Sequence, residues 1–452
     1  MDIAALIPQF GGYFMTILAF VLALSVIVAI HEYGHYIVGR WSGIKAEVFS
    51  VGFGPVLWSR VDKHGTRWQI AALPFGGYVK FLGDSGAASA KDGAAMQAMP
   101  PERLRQTMHG APLWARTATV AAGPVFNFIL SILVFAGIMM TQGKVADPLT
   151  IGALRPMPVQ GVALQPGDQL LAIAGVRLPD PDADTDESGG FDAFSGALPD
   201  ETLLDYRVMR DGSETTVAGP HPLPPIVTQL SPKSAAYSID MNVGDVVTAV
   251  DGAPIASFQQ LKDVVETSDG RVLRLDVWRD GETLEFALAP RRVDEPQPEG
   301  GFKTSWRIGI AGGWAFEPGT VRLGPVAALG GGVAQTYAVA ESSVSGLWHM
   351  VTGAISSCNM TGPIGIAQVS GAMASQGAQS FIWFIAVLST AVGLLNLFPI
   401  PILDGGHLVF YGYEAVTGKP PSDRALQLLM TIGLALILGL MVFALSNDLL
   451  CP

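Results

Sequence analysis

Residues 3–35 read IAALIPQFGGYFMTILAFVLALSVIVAIHEYGH. From Ile3 to Ile30 there is no Asp, Glu, Lys or Arg. A bilayer core needs about 20 consecutive apolar residues per spanning helix, so the run is long enough to cross. It does not read as a cleaved leader. Its apolar part exceeds the usual h-region, no basic n-region precedes it, and HEYGH stands where a small-residue cleavage site belongs. The segment is expected to remain as an anchor.

Charge-free runs recur at Thr117–Gly143 and Ala425–Asn447, and a longer one covers Ser342–Leu403. The last exceeds one span and begins Gly- and Ser-rich. Its apolar density concentrates at Phe381–Phe398, which gives four spans in all. The chain of 452 residues is 49% hydrophobic and 15% charged, whereas about a quarter of a soluble protein's residues are charged.

Basic residues near the spans set orientation. Between spans one and two lie Arg40, Lys45, Arg60, Lys63, Arg67, Lys80, Lys91, Arg103, Arg105 and Arg116, and between spans three and four Lys419 and Arg424. Both loops are therefore expected in the cytoplasm, with both termini and the central segment outside. The net charge of -12 concentrates in that segment, Asp180–Asp192 being one acidic patch, and speaks against nucleic acid as a partner. Cys358 and Cys451 give no disulfide framework, and the sequence leaves their pairing open.

The central segment repeats itself. GDQLLAIAGVRL at 167–178 matches GDVVTAVDGAPI at 244–255, and VMRDG at 208–212 matches VWRDG at 277–281. Val246–Val250 and Leu273–Trp278 read as strands bounded by Gly-Asp or Asp-Gly turns. Ser257–Thr267 reads as a helix with Phe258, Leu261, Val264 and Val265 on one face. The repeated pattern resembles PDZ domains, which bind extended peptides by strand addition. The second copy matches well. The first has Pro156 and Pro158 in its opening strand and an acidic middle, so peptide binding and simple steric filtering both stay open.

In the loop after span one, Pro55–Val61 and Thr66–Leu73 flank Asp62-Lys63-His64-Gly65 and predict a membrane-associated β-hairpin. A second β-forming piece follows at Gly76–Phe81. Gly52, Gly54, Gly76 and Gly77 permit unusual backbone geometry there. The loop is either a small cap or an exposed edge able to hold an extended substrate.

His31-Glu32-Tyr33-Gly34-His35 fits H-E-x-x-H. On a helix, positions i and i+4 share a face, so both imidazoles can meet one zinc ion while Glu32 serves as general base. Ionisable groups inside a span are costly and mark function. A catalytic zinc takes a third protein ligand. Val38 and Trp41 stand where a metzincin-type extension needs Gly and His, and Glu47 lies beyond Gly43 in a β-like stretch. The better match is Asp404, in NLFPIPILDGG at 396–406, with His407 as an alternative. Span one, entered from outside, brings His31 to the cytoplasmic side, and span three brings Asp404 to that same side.

H-E-x-x-H in span one with N-x-x-P-x-x-x-x-D-G in a late span resembles the site-2 protease family of intramembrane zinc metalloproteases, nearly from end to end. The resemblance implies one zinc on His31, His35 and Asp404, Glu32 as base, and substrate contacts at Asn396 and around Pro399. Gly123-Pro124-Val125-Phe126-Asn127 matches a further family feature, or is a Gly-Pro kink with a buried polar side chain. The implied substrates are single-span membrane proteins in the lipid bilayer, such as a pre-trimmed anti-sigma factor of an envelope stress response, and signal-peptide remnants.

The expected architecture is a polytopic α-helical membrane protein with four transmembrane helices and two extracytoplasmic PDZ-like β-rich domains. Its parts are span one (1–40), the cytoplasmic hairpin loop (41–113), span two (114–142), the PDZ-like modules (150–221 and 222–308), a connecting segment (309–379), span three with the Asp404 motif (380–406) and span four (425–447). Two other classes compete. A catalytically inactive scaffold binding peptides through PDZ modules has no need of Glu32 and Asp404. A protease acting on soluble or lipid-modified substrates leaves the PDZ pair unexplained.

Overall fold

The computed structural model describes residues 6–86, 96–97, 99–178, 190–231, 234–296 and 302–450. Most of the acidic patch (180–189) and Cys451 lie outside the described residues. The chain forms two compact units: 1–138 with 325–353 and 357–452, and 139–324 with 354–356.

The helices of the first unit are α1 (Leu6–Trp41), α2 (Leu113–Gln142), α3 (Pro325–Val351), α4 (Pro363–Ser375), α5 (Ala378–Asn396), α6 (Asp404–Thr417) and α7 (Asp423–Leu450). Among the described residues, four helical stretches are long and apolar enough to cross a membrane: Tyr13–Trp41, Leu113–Gln142, Ala378–Asn396 and Arg424–Leu450. They coincide with the four predicted spans. Without a hydrophobic drive between helices in lipid, close backbone approach at small residues supplies much of the packing. Gly34 of α1 shows this, since a Cβ there would lie 2.5 Å from the Ala122 carbonyl oxygen of α2.

Residues 325–375 were expected only as a connecting segment, yet they form α3 and α4. Their Gly and Ser content, which reads as loop, instead serves packing. A side chain at Gly332 would strike the Ile132 carbonyl of α2, and one at Gly371 would strike Thr16 of α1. The orphan donors at the start of α4 are met by Asp448, which accepts from Gly362 N–H and Gly365 N–H at 3.0 Å each. A carboxylate at a helix N-terminus is favourably placed.

The predicted hairpin exists and is longer than expected, with β1 (Ala46–Val61) and β2 (Arg67–Phe81). Both strands bend, so Val48 lies opposite both Arg67 and Lys80, and Val51 opposite both Ile70 and Gly77. The first half of β1 is thus flanked on both sides, and 76–81 forms an outer edge. Gly52 (φ +92°) sits at the bend, where a Cβ would lie 2.9 Å from the Ala71 and Leu73 carbonyl oxygens. Tyr36, one residue beyond His35, ties the hairpin to α1. Its ring packs edge-on to Trp68 at 5.1 Å and its hydroxyl donates to Asp62 at 3.1 Å.

The second unit contains two β-rich modules, one over each copy of the sequence repeat. Each has a four-stranded sheet: Val176–Arg177, Gln169–Ile173, Leu203–Arg210, Ser213–Pro220 in spatial order in the first, and Ala253–Pro254, Val246–Val250, Leu273–Arg279, Glu282–Leu288 in the second. The sequence repeat has a concrete meaning. Arg210 clasps Asp168 through two bonds of 2.7 and 2.6 Å, and Arg279 clasps Asp245 through two of 2.6 Å. The matching Asp211-Gly212 and Asp280-Gly281 pairs all have positive φ, as a two-residue type I′ hairpin turn demands. The predicted helix is Phe258–Glu266, closed at its start by a Ser257/Gln260 capping box.

One boundary differs from expectation. Residues 310–318 belong to the modules rather than to a connecting segment. Ile310–Ala311 pairs with Gln229–Leu230 of the second module, and Phe316–Pro318 pairs with Ile151–Leu154 of the first. Ala315 and Phe316 are fully buried in the first module's core. That module's opening strand ends at Leu154, before Pro156, and apolar residues from beyond its partner complete it.

Candidate metal centre

His31 and His35 lie one turn apart on α1, His31 about 27 Å along the helix from Tyr13 at 1.5 Å per residue. Both imidazoles are largely buried, and their Nε2 atoms are 3.1 Å apart. Asp404 Oδ2 stands 3.1 Å from His31 Nε2 and 3.5 Å from His35 Nε2. That oxygen is buried and makes no hydrogen bond among the described residues. Three potential ligand atoms thus crowd one point. Tetrahedral zinc with ligands at about 2.05 Å separates them by about 3.3 Å, which is the spacing found. Among the described residues this is the one cluster of three His, Cys, Asp or Glu side chains close enough to hold an ion. The donor set fits zinc.

Asp404 is delivered differently from the sequence expectation. Span three ends at Asn396, and Asp404 opens a separate helix, α6. Gly405 and Gly406 make this possible. A Cβ on either would collide with carbonyl oxygens of the intervening turn, those of Leu397 and Phe398 or that of Ile400. Farther along α6, Glu414 takes two bonds from Arg116 of α2 (3.0 and 2.6 Å), and the same guanidinium lies over the Tyr411 ring at 5.2 Å. This largely buried pair holds α6 against α2 and so fixes Asp404.

The cluster lines a cavity of about 260 Å³, together with Glu32, Gly77, Tyr78, Val79, Asn396 and His407. Gly77 is forced: a Cβ there would lie 2.7 Å from the Ser50 carbonyl oxygen and 3.1 Å from Glu32 Cγ. Asn396 donates to the Val392 carbonyl at 3.1 Å. His407 lines the cavity but is not part of the three-residue cluster. Gly52, Gly54, Gly76 and Pro399 are not among the lining residues, and Glu47 is paired with Lys80 at 3.1 Å.

Sequence reasoning missed Thr119, whose carbonyl oxygen lies 2.8 Å from His35 Nδ1, as the acceptor that ring needs. It also missed His109, which lines the cavity 3.5 Å from the buried Asp84. Thr119 stands four residues before Gly123, a spacing that could have flagged it.

Outside the spans, Asp62 in the hairpin turn titrates at about 2. Burial opposes this, but hydrogen bonds from Trp68, the backbone N–H groups of Thr66 and His64, and Tyr36 hold it down.

Four helices long and apolar enough to cross a membrane, with a buried His–His–Asp cluster and a glutamate on the same cavity, fit a membrane metallopeptidase. The model of peptidase family M50 matches residues 19–440, and the chain belongs to that family as a zinc metalloprotease of the site-2 type. It is 35% identical over 437 residues to "Putative zinc metalloprotease R01501" of Rhizobium meliloti, covering 96% of each chain. It is 32% identical over 451 residues to "Regulator of sigma-E protease RseP" of Salmonella typhimurium, covering 95% of this chain and 97% of that one.

Proposed function

We propose that this membrane zinc metalloprotease holds its metal through His31, His35 and Asp404, uses Glu32 as general base, and cleaves single-span membrane proteins within or near their transmembrane segment. The observation that carries the reading is the convergence of the three ligand atoms at 3.1–3.5 Å inside span one, with Glu32 on the same cavity. When bound, zinc supplies Lewis acidity to the attacking water and to the scissile carbonyl. Glu32 takes the water's proton and returns it to the leaving amine.

A transmembrane helix shelters its carbonyls by pairing them internally, so a substrate must unwind before attack. The outer edge of β2 offers replacement bonds. Phe81 N–H is taken by Asp84 at 3.0 Å rather than by β1. With a period of two, the backbone groups of Val79 and Gly77 point the same way; the Val79 N–H bonds Glu32, which leaves the Val79 carbonyl and the Gly77 groups for the substrate. Both residues line the metal cavity, and the substrate lies along this edge with Asn396 at the unwound end.

The basic loops put the hairpin and the metal on the cytoplasmic side of the inner membrane, with the termini and both PDZ-like modules in the periplasm. The modules act as a filter that turns away substrates with bulky outer domains. In the second, Phe258 packs so tightly on Gly312 that no side chain fits at 312, which supports filtering over strand capture. The substrate class is then a pre-trimmed single-span protein of the anti-sigma-factor kind, with signal-peptide remnants as a second kind.

The test compares wild type with Glu32→Gln. Zinc content should match, and cleavage of a single-span substrate with a short outer stub should fall by about 10²–10⁴. Equal zinc with no Glu32-dependent cleavage would instead favour a peptide-binding scaffold.

A further inference from the structure

One face of α2 carries Thr119, Gly123 and Asn127 at intervals of four, and all three meet the histidine rings. The Thr119 carbonyl faces His35 Nδ1 at 2.8 Å. Gly123 leaves the space the rings fill, since a Cβ there would lie 2.8 Å from His31 Cε1 and nearer still to His35 Nε2. Asn127 is fully buried, with its amide nitrogen 3.2 Å from His31 Nδ1. The Ser389 hydroxyl donates to the Asn127 backbone carbonyl at 3.0 Å, and the single Ser131 hydroxyl proton lies between that carbonyl at 3.0 Å and the Ala386 carbonyl of α5 at 2.8 Å. This turn of α2 is therefore pinned to α5.

We propose that Asn127 is a positioning residue that holds His31 in its metal-binding tautomer, by accepting the Nδ1–H through its amide oxygen. The inference rests on reading His31, His35 and Asp404 as zinc ligands.

A carbonyl can only accept, so the ring of His35 carries its proton on Nδ1 and leaves Nε2 bare. His31 needs the same arrangement if its Nε2 is to bind metal. An amide nitrogen facing Nδ1 suits the opposite tautomer, with the proton on Nε2. The Asn127 oxygen is meanwhile buried with no hydrogen bond among the described residues. A half-turn of the amide exchanges oxygen for nitrogen at almost no cost in shape. It gives His31 Nδ1–H an acceptor, and it turns the amide N–H groups toward the side where the oxygen has no partner among the described residues. An outer acceptor of this kind orients a metal-binding imidazole and raises its basicity. Asparagine can serve either tautomer, whereas Leu or Ala can serve neither.

The test measures the zinc Kd of the purified full-length chain by competition with a chromophoric chelator, for wild type and for Asn127→Leu, Asn127→Ala and Asn127→Asp. Leu and Ala should bind zinc about 10–100-fold more weakly, and Asp, which keeps an acceptor, should stay within about threefold of wild type. Ala is measured because it demands less of the packing if the Leu chain does not fold. The ¹⁵N shifts of His31 in the zinc-loaded wild type should report a protonated Nδ1. Wild-type affinity in Leu or Ala, or a loss in Asp as large as theirs, would overturn the proposal. A wild type that binds no zinc would overturn the site reading and this inference with it.

Discussion

Gly123→Ala sets two effects of opposite sign against each other. In a helix interior, Gly→Ala stabilises by about 0.5–1 kcal/mol through backbone entropy alone. Here the added methyl has no room, lying 2.5 Å from His35 Cε1 and 2.8 Å from His31 Cε1. Carbon atoms rest at about 3.5 Å or more, so the rings must retreat by about 1 Å. Ligand distances tolerate only about 0.2 Å, and the Nε2 atoms cannot retreat while still meeting Asp404 Oδ2. The substitution should therefore lower zinc affinity at least tenfold while the chain stays folded. Chelator competition measures the affinity, and hydrogen exchange along α2 measures the helix. Zinc binding within twofold of wild type would refute the reasoning, because the histidines could then not occupy the positions assigned to them.

Two further outcomes are expected. Val79→Pro removes from the outer edge of β2 the N–H that bonds the Glu32 carboxylate, and a hydrogen bond to a charged group contributes about 1.5 kcal/mol or more. With the strand also blocked from pairing, kcat/KM should fall about tenfold relative to Val79→Ala at unchanged zinc content. Equal rates for the two variants would count against edge pairing. Asp62 has a depressed folded pKa of about 2, so its contribution is fully present above the ordinary carboxylate range and is lost as pH falls toward 2. Trp68 fluorescence should report loosening of the hairpin turn between about pH 4 and pH 2. Asp62→Asn should lack that transition, and an identical titration would contradict the assignment.

Legibility in the sequence followed the reach of the signal. The spans were legible because a bilayer imposes long charge-free runs. The cluster was legible because His31 and His35 share a helical face and Asp404 breaks a charge-free stretch. The repeat foreshadowed the Asp168–Arg210 and Asp245–Arg279 clasps, since a buried carboxylate needs its partner at a fixed place in each copy. The strand Phe316–Pro318 was not legible: three residues carry no periodicity, and their pairing with Ile151–Leu154 is set by a gap in a distant module. α3 was hidden because its glycines read as loop signals, although Gly332 lies against α2 for want of a Cβ. Asp404 was expected at the end of a span and instead opens a helix, a distinction that depends on Gly405 and Gly406 packing against the preceding turn. The contacts of Thr119 and Asn127 with the rings depend on how α1 and α2 cross, which no single-helix pattern specifies.

The most direct test of the central claim is zinc-edge X-ray absorption on the purified chain, compared with Asp404→Ala. The account predicts one zinc per wild-type chain with two imidazole nitrogens at about 2.0–2.1 Å and a carboxylate oxygen, and loss of both the oxygen contribution and tight binding in the variant. Stoichiometric zinc with an unchanged spectrum in Asp404→Ala would contradict it.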